Sequence, residues 1–431
     1  MPTHNQNEQN DMKHFPNHHL SRRGICTALM LAVIAGNNIT SAGPIKSVGQ
    51  MTFADANTVI IADWRAGEIH ALQLPPAANA ATRPFNLKNI STPIAHALHT
   101  RPEKIHFEDM AFRPGAELAY LTISVDQGDK APRPALVSVA AAGKVEVVDL
   151  VKTPQTSVEI KSRPMADARF WRDVPEATYT VTDLVCYEGK LYVAGLSGES
   201  FASTLRVYDF PFTGVGTATS IEIYHAVHNQ METRAPIRKM AIVALNGEPT
   251  LVAAYTCTPL VTIPLKDLKD GAHITGKTIA ELGWGSAPVD MVTFDVGQGP
   301  MVLLVNSHKS ADLMTVSAIA EASAQPGLST PIKWPSEPLL GLKSTPIPLA
   351  GIVQLSNENK DFFGGLRPDA TSGAMELLSI RKGAFLRLSD FINEYDFADY
   401  KYAPTDTWHG VHQMLRTDEG YPDLARRAVL P

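Results

Sequence analysis

Three histidine pairs in this chain repeat one spacing: His96-Ala97-Leu98-His99, His225-Ala226-Val227-His228 and His409-Gly410-Val411-His412. Composition alone, with 14 histidines in 431 residues, would give about half of one such pair, so the excess asks for a cause. Imidazole is the commonest transition-metal ligand, and two of them three residues apart can meet on one ion in a turn or a helical segment. His106, at the start of a strand-like run, and His308, at the end of another, add further imidazoles, and Cys257 in AAYTCTPLV adds a thiolate. Such donors suit copper first and zinc second on the affinity order of divalent metals. The competing reading makes the pairs inherited loop pins that hydrogen-bond the backbone and bind nothing. Covalent c-type haem is excluded because C-x-x-C-H is missing, whereas a haem held by histidines alone stays open.

A second set of residues is charged. Aligning the first strands of the repeats described below brings Gln50, Asp109, Asp183, Lys239, Asp290 and Gly351 to one position, with Glu108 and Arg238 as neighbours of two of them. In a closed ring of strands these residues form a mixed-charge collar around a central channel. Such a collar either holds an ion or a column of water, or ties neighbouring strands together through hydrogen bonds and ion pairs.

Other strings argue against particular reactions. Residues 271–278, GAHITGKT, match the phosphate-loop pattern, but only IAEL follows before Gly283, Trp284 and Gly285, which leaves no room for the helix that such a loop requires. An inter-strand connection is the better reading. H-E-x-x-H and G-x-S-x-G are missing, as are acidic loops of EF-hand spacing, so zinc peptidase, α/β-hydrolase and calmodulin-type chemistry have no support. Asn89-Ile90-Ser91 fits a glycosylation sequon, read here as silent because the leader looks bacterial.

The elements that must position these residues follow from self-similarity. Six units begin with VGQMTFAD (48–55), IHFEDMAF (105–112), YTVTDLVCY (179–187), PIRKMAIVAL (236–245), PVDMVTFD (288–295) and PLAGIVQL (348–355). Each is followed by a second apolar run (TVIIADW, ELAYLTIS, KLYVAGLS, TLVAAYTC, MVLLVNSH, DFFGGLRP) and a third (EIHALQL, ALVSVAA, TLRVYDF, LVTIPL, LMTVSAI, AMELLSI). Gly, Pro, Asn and Asp punctuate the junctions, where tight turns need positive or fixed φ. Short strands recurring every 50 to 75 residues signal a propeller rather than a sandwich. Helical periodicity is nearly absent before about residue 390, so the sequence predicts an all-β propeller of six four-stranded blades, with a seventh blade completed by the tail as the alternative. Residues 151–178 and 320–345 read as long Pro-rich insertions. The pairs HALH and HAVH both precede a first strand, which predicts that they line the mouth of the channel, with the third pair folding over the same face.

Composition and the N-terminus bound the setting. Charged residues make up 19% and hydrophobic residues 44% of the chain, with a formal charge of -6 and no basic cluster in its body, so a packed core is expected and nucleic acid is not an expected partner. Ser21-Arg22-Arg23 leads into an apolar run from Ile25 to Ala35 and small residues up to Ala42, the layout of a signal peptide cleaved after Ala42. Sec and twin-arginine export both fit, and Met12 is an alternative start. The run is too short to span a bilayer, so the mature protein is expected to be periplasmic or secreted with no integral membrane segment. Residues 1–42 are thus leader, 43–391 propeller and 392–431 a tail or cap. With Cys26 in the leader, Cys186 and Cys257 remain, paired or free.

The strings HAVH, ETRAPIR, AAYTCTPLV and GAHITGKTIAELG within 225–283, with VAGLSGESFASTL upstream, resemble those of a group of exported propeller proteins. The resemblance implies fold and export but no reaction. More loosely, the architecture is similar to six-bladed TolB-like and gluconolactonase-like propellers. The metal-dependent hydrolases among them use an axial Glu/Asn/Asp set, from which a collar containing Lys239 and Gly351 departs.

The expected function is therefore a periplasmic metal-binding propeller, copper favoured over zinc, serving redox chemistry or metal handling. His96, His99, His225 and His228 are its core ligands, and His409 or His412 closes the site. The first alternative is a non-catalytic platform that binds another exported protein or an oxidoreductase. The second is a hydrolase or dehydrogenase using Asp109, Asp183 and Asp290 with calcium or a quinone.

Overall fold

The computed structural model describes residues 43–77, 84–170, 173–283, 285–349 and 351–383. The expected leader and tail, and with them His409 and His412, lie outside the described residues.

Alternating apolar positions form antiparallel strands, and tight turns join them. Glu188-Gly189 and Asn246-Gly247 have positive φ at both residues (46° and 71°, 52° and 83°) and close two-residue hairpins that match strand twist. Four sheets are four-stranded. The first comprises Met51–Asp55, Thr58–Asp63, Glu68–Gln73 and Gln155–Glu159. The second comprises Ile105–Phe112, Leu118–Gln127, Lys130–Ala140 and Val145–Val148. The third comprises Pro288–Phe294, Met301–Asn306, Ala311–Thr315 and Thr345–Ile347. The fourth is built from Gln354–Asn357, Phe362–Pro368, Met375–Arg381 and Asn86–Leu87.

A ten-stranded sheet contains two further four-stranded antiparallel runs. One is Asp183–Tyr187, Lys190–Leu196, Ser203–Asp209 and Thr217–His225. The other is Lys239–Leu245, Glu248–Ala254, Pro259–Pro264 and His273–Glu281. Their outermost strands pair in parallel, Ser220 opposite His273 and Glu222 opposite Thr275.

The innermost strands touch in a closed cycle: Met51–Asp55, Asp183–Tyr187, Lys239–Leu245, Pro288–Phe294, Gln354–Asn357, Ile105–Phe112 and back to Met51–Asp55. The apolar core follows the same cycle, because each hydrophobic cluster lies between two neighbouring sheets. Ile60, Leu184, Val193 and Tyr208 pack together, as do Leu251, Ile221 and Ile263, and Val59, Ile61 and Tyr120 close the circuit. Second strands are buried on both faces, Thr58–Asp63 and Met301–Asn306 throughout, which explains their unbroken apolar runs. Packing is close enough that a Cβ on Gly364 would lie 2.1 Å from the Phe112 ring. This is an all-β propeller arrangement.

Three expectations need correction. The chain does not finish one sheet before beginning the next: it leaves the first after Gln73, adds Asn86–Leu87 to the edge of Met375–Arg381, builds the second sheet, and returns with Gln155–Glu159. The stretch 151–178 thus carries an outer strand rather than only an insertion. Helices also occur before residue 390, α1 (Ser91–Ala97) and α2 (Val316–Ala324). Thr315 caps α2 by accepting the Ala318 N–H, and Val316, Ile319 and Ala320 bury its apolar stripe, so the third strand read as LMTVSAI stops at Thr315. Among the described residues, no helix is long and apolar enough to cross a membrane.

Candidate functional site

The charged collar exists, with a changed membership. Each of three aspartates reaches across to the next inner strand and accepts a backbone N–H: Asp109 from Met51 at 2.7 Å, Asp183 from Met240 at 2.7 Å, and Asp290 from Leu355 at 2.9 Å. The residues preceding those amides are Gln50, Lys239 and Gln354, so acids alternate with two amides and one ammonium around the axis. Gly351, expected in this ring, precedes the inner strand that begins at Gln354, and Gln354 takes its place, donating from Nε2 to the Glu108 carbonyl at 3.1 Å. Lys239 Nζ donates to Gln50 Oε1 at 2.7 Å and lies 3.6 Å from Asp183 and 3.8 Å from Asp290.

Burial pushes the carboxyl groups of Asp109 and Asp290 upward against the pull of Lys239, and raises Asp183 to about 6. Burial alone would lower Lys239, but Asp290, Asp183 and Asp109 outweigh it and hold the ammonium above its usual range. A cavity of about 480 Å³ is lined by all four. With its cation already built in and its acid oxygens bonded to backbone, the collar is a clasp between neighbouring strands.

The second constellation lies where outer strands end. His225 is the last residue of Thr217–His225, and alternation turns it inward with Ile221 and Ile223, leaving it 2% exposed. The chain then folds back, Gln230 opposite His225 and Glu232 opposite Ile223, so that His228 and Glu232 stand beside it. The imidazoles of His225 and His228 lie 4.2 Å apart between ring centres. Cys257 comes from the neighbouring run, on the hairpin between Glu248–Ala254 and Pro259–Pro264. Its φ of 66° and that of Thr258, 63°, are left-handed values that side-chain-bearing residues seldom adopt. The Cys257 N–H to Ser286 carbonyl bond (2.9 Å) and the Thr258 hydroxyl to Gly283 carbonyl bond (2.6 Å) hold that shape. One nitrogen each from His225 and His228 and the Cys257 sulfur all lie within 4.8 Å of one another.

Two carboxylates complete the surroundings. Glu232 Oε1 lies 3.1 Å from His225 Nδ1 and 2.5 Å from His228 Nδ1. Burial raises this carboxyl, but its close contacts with the His225 and His228 rings prevail and lower it to about 2. Glu281, the last residue of His273–Glu281, is fully buried with Oε1 at 3.8 Å from His225 Nε2, and burial raises it to about 8. Both ring nitrogens of His225 and both oxygens of Glu281 are buried without a well-formed hydrogen bond. Donors around an ion at about 2.0–2.3 Å sit roughly 3.3–3.8 Å apart, so a contraction of about 1 Å would seat a metal among two imidazoles and a thiolate. The donor types and the unsatisfied nitrogens of His225 fit such an ion.

Of the expected ligands, the structure unites His225, His228 and Cys257. His96 and His99 are not part of this group: His96 is exposed on α1 and His99 just beyond it with a φ of 54°. The equivalence of HALH and HAVH therefore fails, since one is helical and the other a strand end, and the cluster lies on outer strands and a hairpin rather than on the channel-lining strands. His106 is exposed on Ile105–Phe112, and His308 is exposed with Nδ1 2.6 Å from the Ser307 hydroxyl; neither belongs to the cluster. Glu232 and Glu281 were missed. Only HAVHNQME, with an acid four residues past the second histidine, carried a local signal for the first. Among the described residues, Cys186 and Cys257 form no disulfide, and burial pushes the Cys186 thiol up to about 12, which leaves it inert. Residues 273–278 of the phosphate-loop string lie in the strand His273–Glu281, in agreement with its rejection.

No family model matches the chain, and no curated protein matches it. One matching solved structure is a GH43 β-xylosidase/α-arabinofuranosidase from a compost microbial metagenome, in complex with xylotriose in a calcium-free form. It aligns at 11% identity over 70% of this chain and 96% of its own, with a TM-score of 0.35, which carries no argument about site or activity. What fold and site define together is a propeller-type all-β protein with a candidate histidine and cysteine metal cluster.

Proposed function

We propose that this chain is an exported six-bladed β-propeller that binds a transition-metal ion at His225, His228 and Cys257, with copper favoured over zinc and Glu232 holding the two imidazoles. The observation that carries the metal reading is the convergence of a strand end and a strained hairpin from different strand runs on one 4.8 Å cluster. Two imidazoles and a thiolate form the donor set that selects copper on affinity, with zinc next. When bound, the ion supplies a redox couple or a Lewis acid. His225 is the rigid, buried ligand, His228 and Glu232 close the solvent side, and Glu281 orients the His225 ring.

Six four-stranded runs and the closed cycle of inner strands support the blade number. The arginine pair, apolar run and small residues before Pro44 support export to the periplasm or beyond. A docking role for another exported protein is a second reading. It is favoured by Trp334 and Leu339, exposed by 63% and 58% on a segment whose Ile332 N–H bonds the Ala226 carbonyl beside the cluster.

The test is metal content. Untagged protein stripped with a chelator, then loaded with Cu or Zn and desalted, should retain about one equivalent. The Cu(II) form should show thiolate charge-transfer absorption that disappears in Cys257→Ser. Retention below about a tenth of an equivalent of either metal ends the proposal.

A further inference from the structure

We infer that Ser220, His273 and Glu222 form a nucleophilic hydrolase site, separate from the metal cluster, that cleaves carboxylic esters. All three project from the parallel pair of outer strands. The burial alternation of Thr217–His225 puts Ile221 and Ile223 in the core and leaves Ser220 and Glu222 on the opposite face, and parallel register sets His273 opposite Ser220. Ser220 Oγ lies 2.9 Å from His273 Nδ1, and His273 Nε2 lies 3.4 Å from Glu222 Oε2. Glu222 is itself held, its Oε1 accepting from the Thr275 hydroxyl at 2.9 Å. Nucleophile, base and orienting carboxylate therefore stand in the chain of contacts that activates a serine hydroxyl, without the G-x-S-x-G string. With Nε2 facing the Glu222 carboxylate at 3.4 Å, the Nδ1 lone pair is left to accept from the Ser220 hydroxyl, whose other contact, the Ala272 carbonyl, is longer at 3.4 Å.

Ser220 and His273 line a cavity of about 570 Å³. Phe201, 43% exposed, packs against the His273 ring with 4.0 Å between centres and 39° between planes, and offers an apolar surface for an acyl group. Lys161, whose Nζ donates to Asp270 at 2.6 Å, and Ser162 and Ser197 line the same cavity and are its polar groups nearest in kind to oxyanion donors.

In the reaction, Ser220 Oγ bonds to the ester carbonyl carbon while its proton passes to His273 Nδ1. Collapse breaks the bond to the leaving alcohol, which takes that proton. Water, deprotonated by the same nitrogen, then releases the carboxylic acid and restores the serine. Ser220 and His273 are the catalytic residues and Glu222 a positioning residue.

The full chain is tested with a fluorophosphonate near neutral pH and with 4-nitrophenyl acetate, with and without a chelator. One adduct is expected, mapped to Ser220 by peptide mass, unchanged by the chelator and missing in Ser220→Ala. His273→Gln should slow labelling by about 100-fold or more. Glu222→Gln should slow it by about 10-fold and lower kcat for 4-nitrophenyl acetate by a similar factor with KM unchanged, as expected of a group that acts only in the transition state. A wild-type Ser220 that remains unmodified, labelling of His273→Gln at the wild-type rate, or labelling abolished by the chelator overturns the inference. The wild-type mapping decides the matter even if a variant does not fold.

Discussion

The axial collar and the cluster at the strand ends use similar residue types toward opposite ends. In the collar, three acids face one lysine, and every acid also accepts a backbone N–H from the next inner strand. In the cluster, two imidazoles and a thiol converge on one another, while the nitrogens of the buried imidazole lack good partners. A satisfied polar network holds a fold together, whereas an unsatisfied one in a strained frame is poised to take a ligand. The collar carries its own cation; the cluster offers donors for a foreign one.

The sharpest way to break the comparison is Lys239→Met. Removing the ammonium strands three nearly buried carboxylates, and we expect a loss of about 3–5 kcal/mol near pH 8. The loss should shrink toward pH 5 as the acids become neutral, and metal retention per folded molecule should not change. Denaturant unfolding at both pH values measures it; a pH-independent loss would mean that stranded charge is not the cause.

Cys257→Ala and His225→Ala should do the reverse. Each should weaken metal binding by more than about 100-fold, beyond what a change outside the ligand sphere costs, while metal-free Cys257→Ala keeps wild-type stability. Competition titration against a chelator of known affinity reads this directly. Equal affinity for Cys257→Ala and wild type would remove the thiolate from the ligand set.

A third expectation concerns pH. The Asp183 carboxyl is raised to about 6 in the fold, above its ordinary range. Its contribution to stability is therefore full below the unfolded pKa and is lost as pH rises through about 6, with Asp109 and Asp290 acting in the same direction. Asp183→Asn keeps an acceptor for the Met240 N–H and should flatten this dependence. Unfolding midpoints from pH 4 to 8 supply the comparison, and parallel curves for the two proteins would refute it.

The smallest effect separates the two histidine strings. His96→Ala and His99→Ala alter exposed side chains outside the cluster, so metal affinity should change by less than about 2-fold and stability by about 0.5 kcal/mol or less. A loss comparable to that of His225→Ala would restore the equivalence that the helix denies.

Much of the architecture was legible because it is local. Apolar runs bounded by turn residues marked the inner, second and third strands, and Asn246-Gly247 and Glu188-Gly189 announced their turns. The ring of Gln50, Asp109, Asp183, Lys239 and Asp290 followed from aligning those strands. The sixth place went to Gly351 rather than Gln354 because the apolar run PLAGIVQL begins well before its strand does. The candidate site was half legible: HAVH and Cys257 stood out as metal-type donors, but nothing in the string HALH distinguishes a helix end from a strand end.

What the amino-acid order determined alone is each segment's extended form and which of its faces is apolar, since both depend on neighbours two residues apart. Tertiary structure decided which distant segment supplies each outer strand, that Asn86–Leu87 joins Met375–Arg381, and that Glu281 and Cys257 arrive beside His225. Those outcomes depend on ring closure, where one strand's edge is satisfied by backbone groups hundreds of residues away, and no spacing along the chain records which edge that will be.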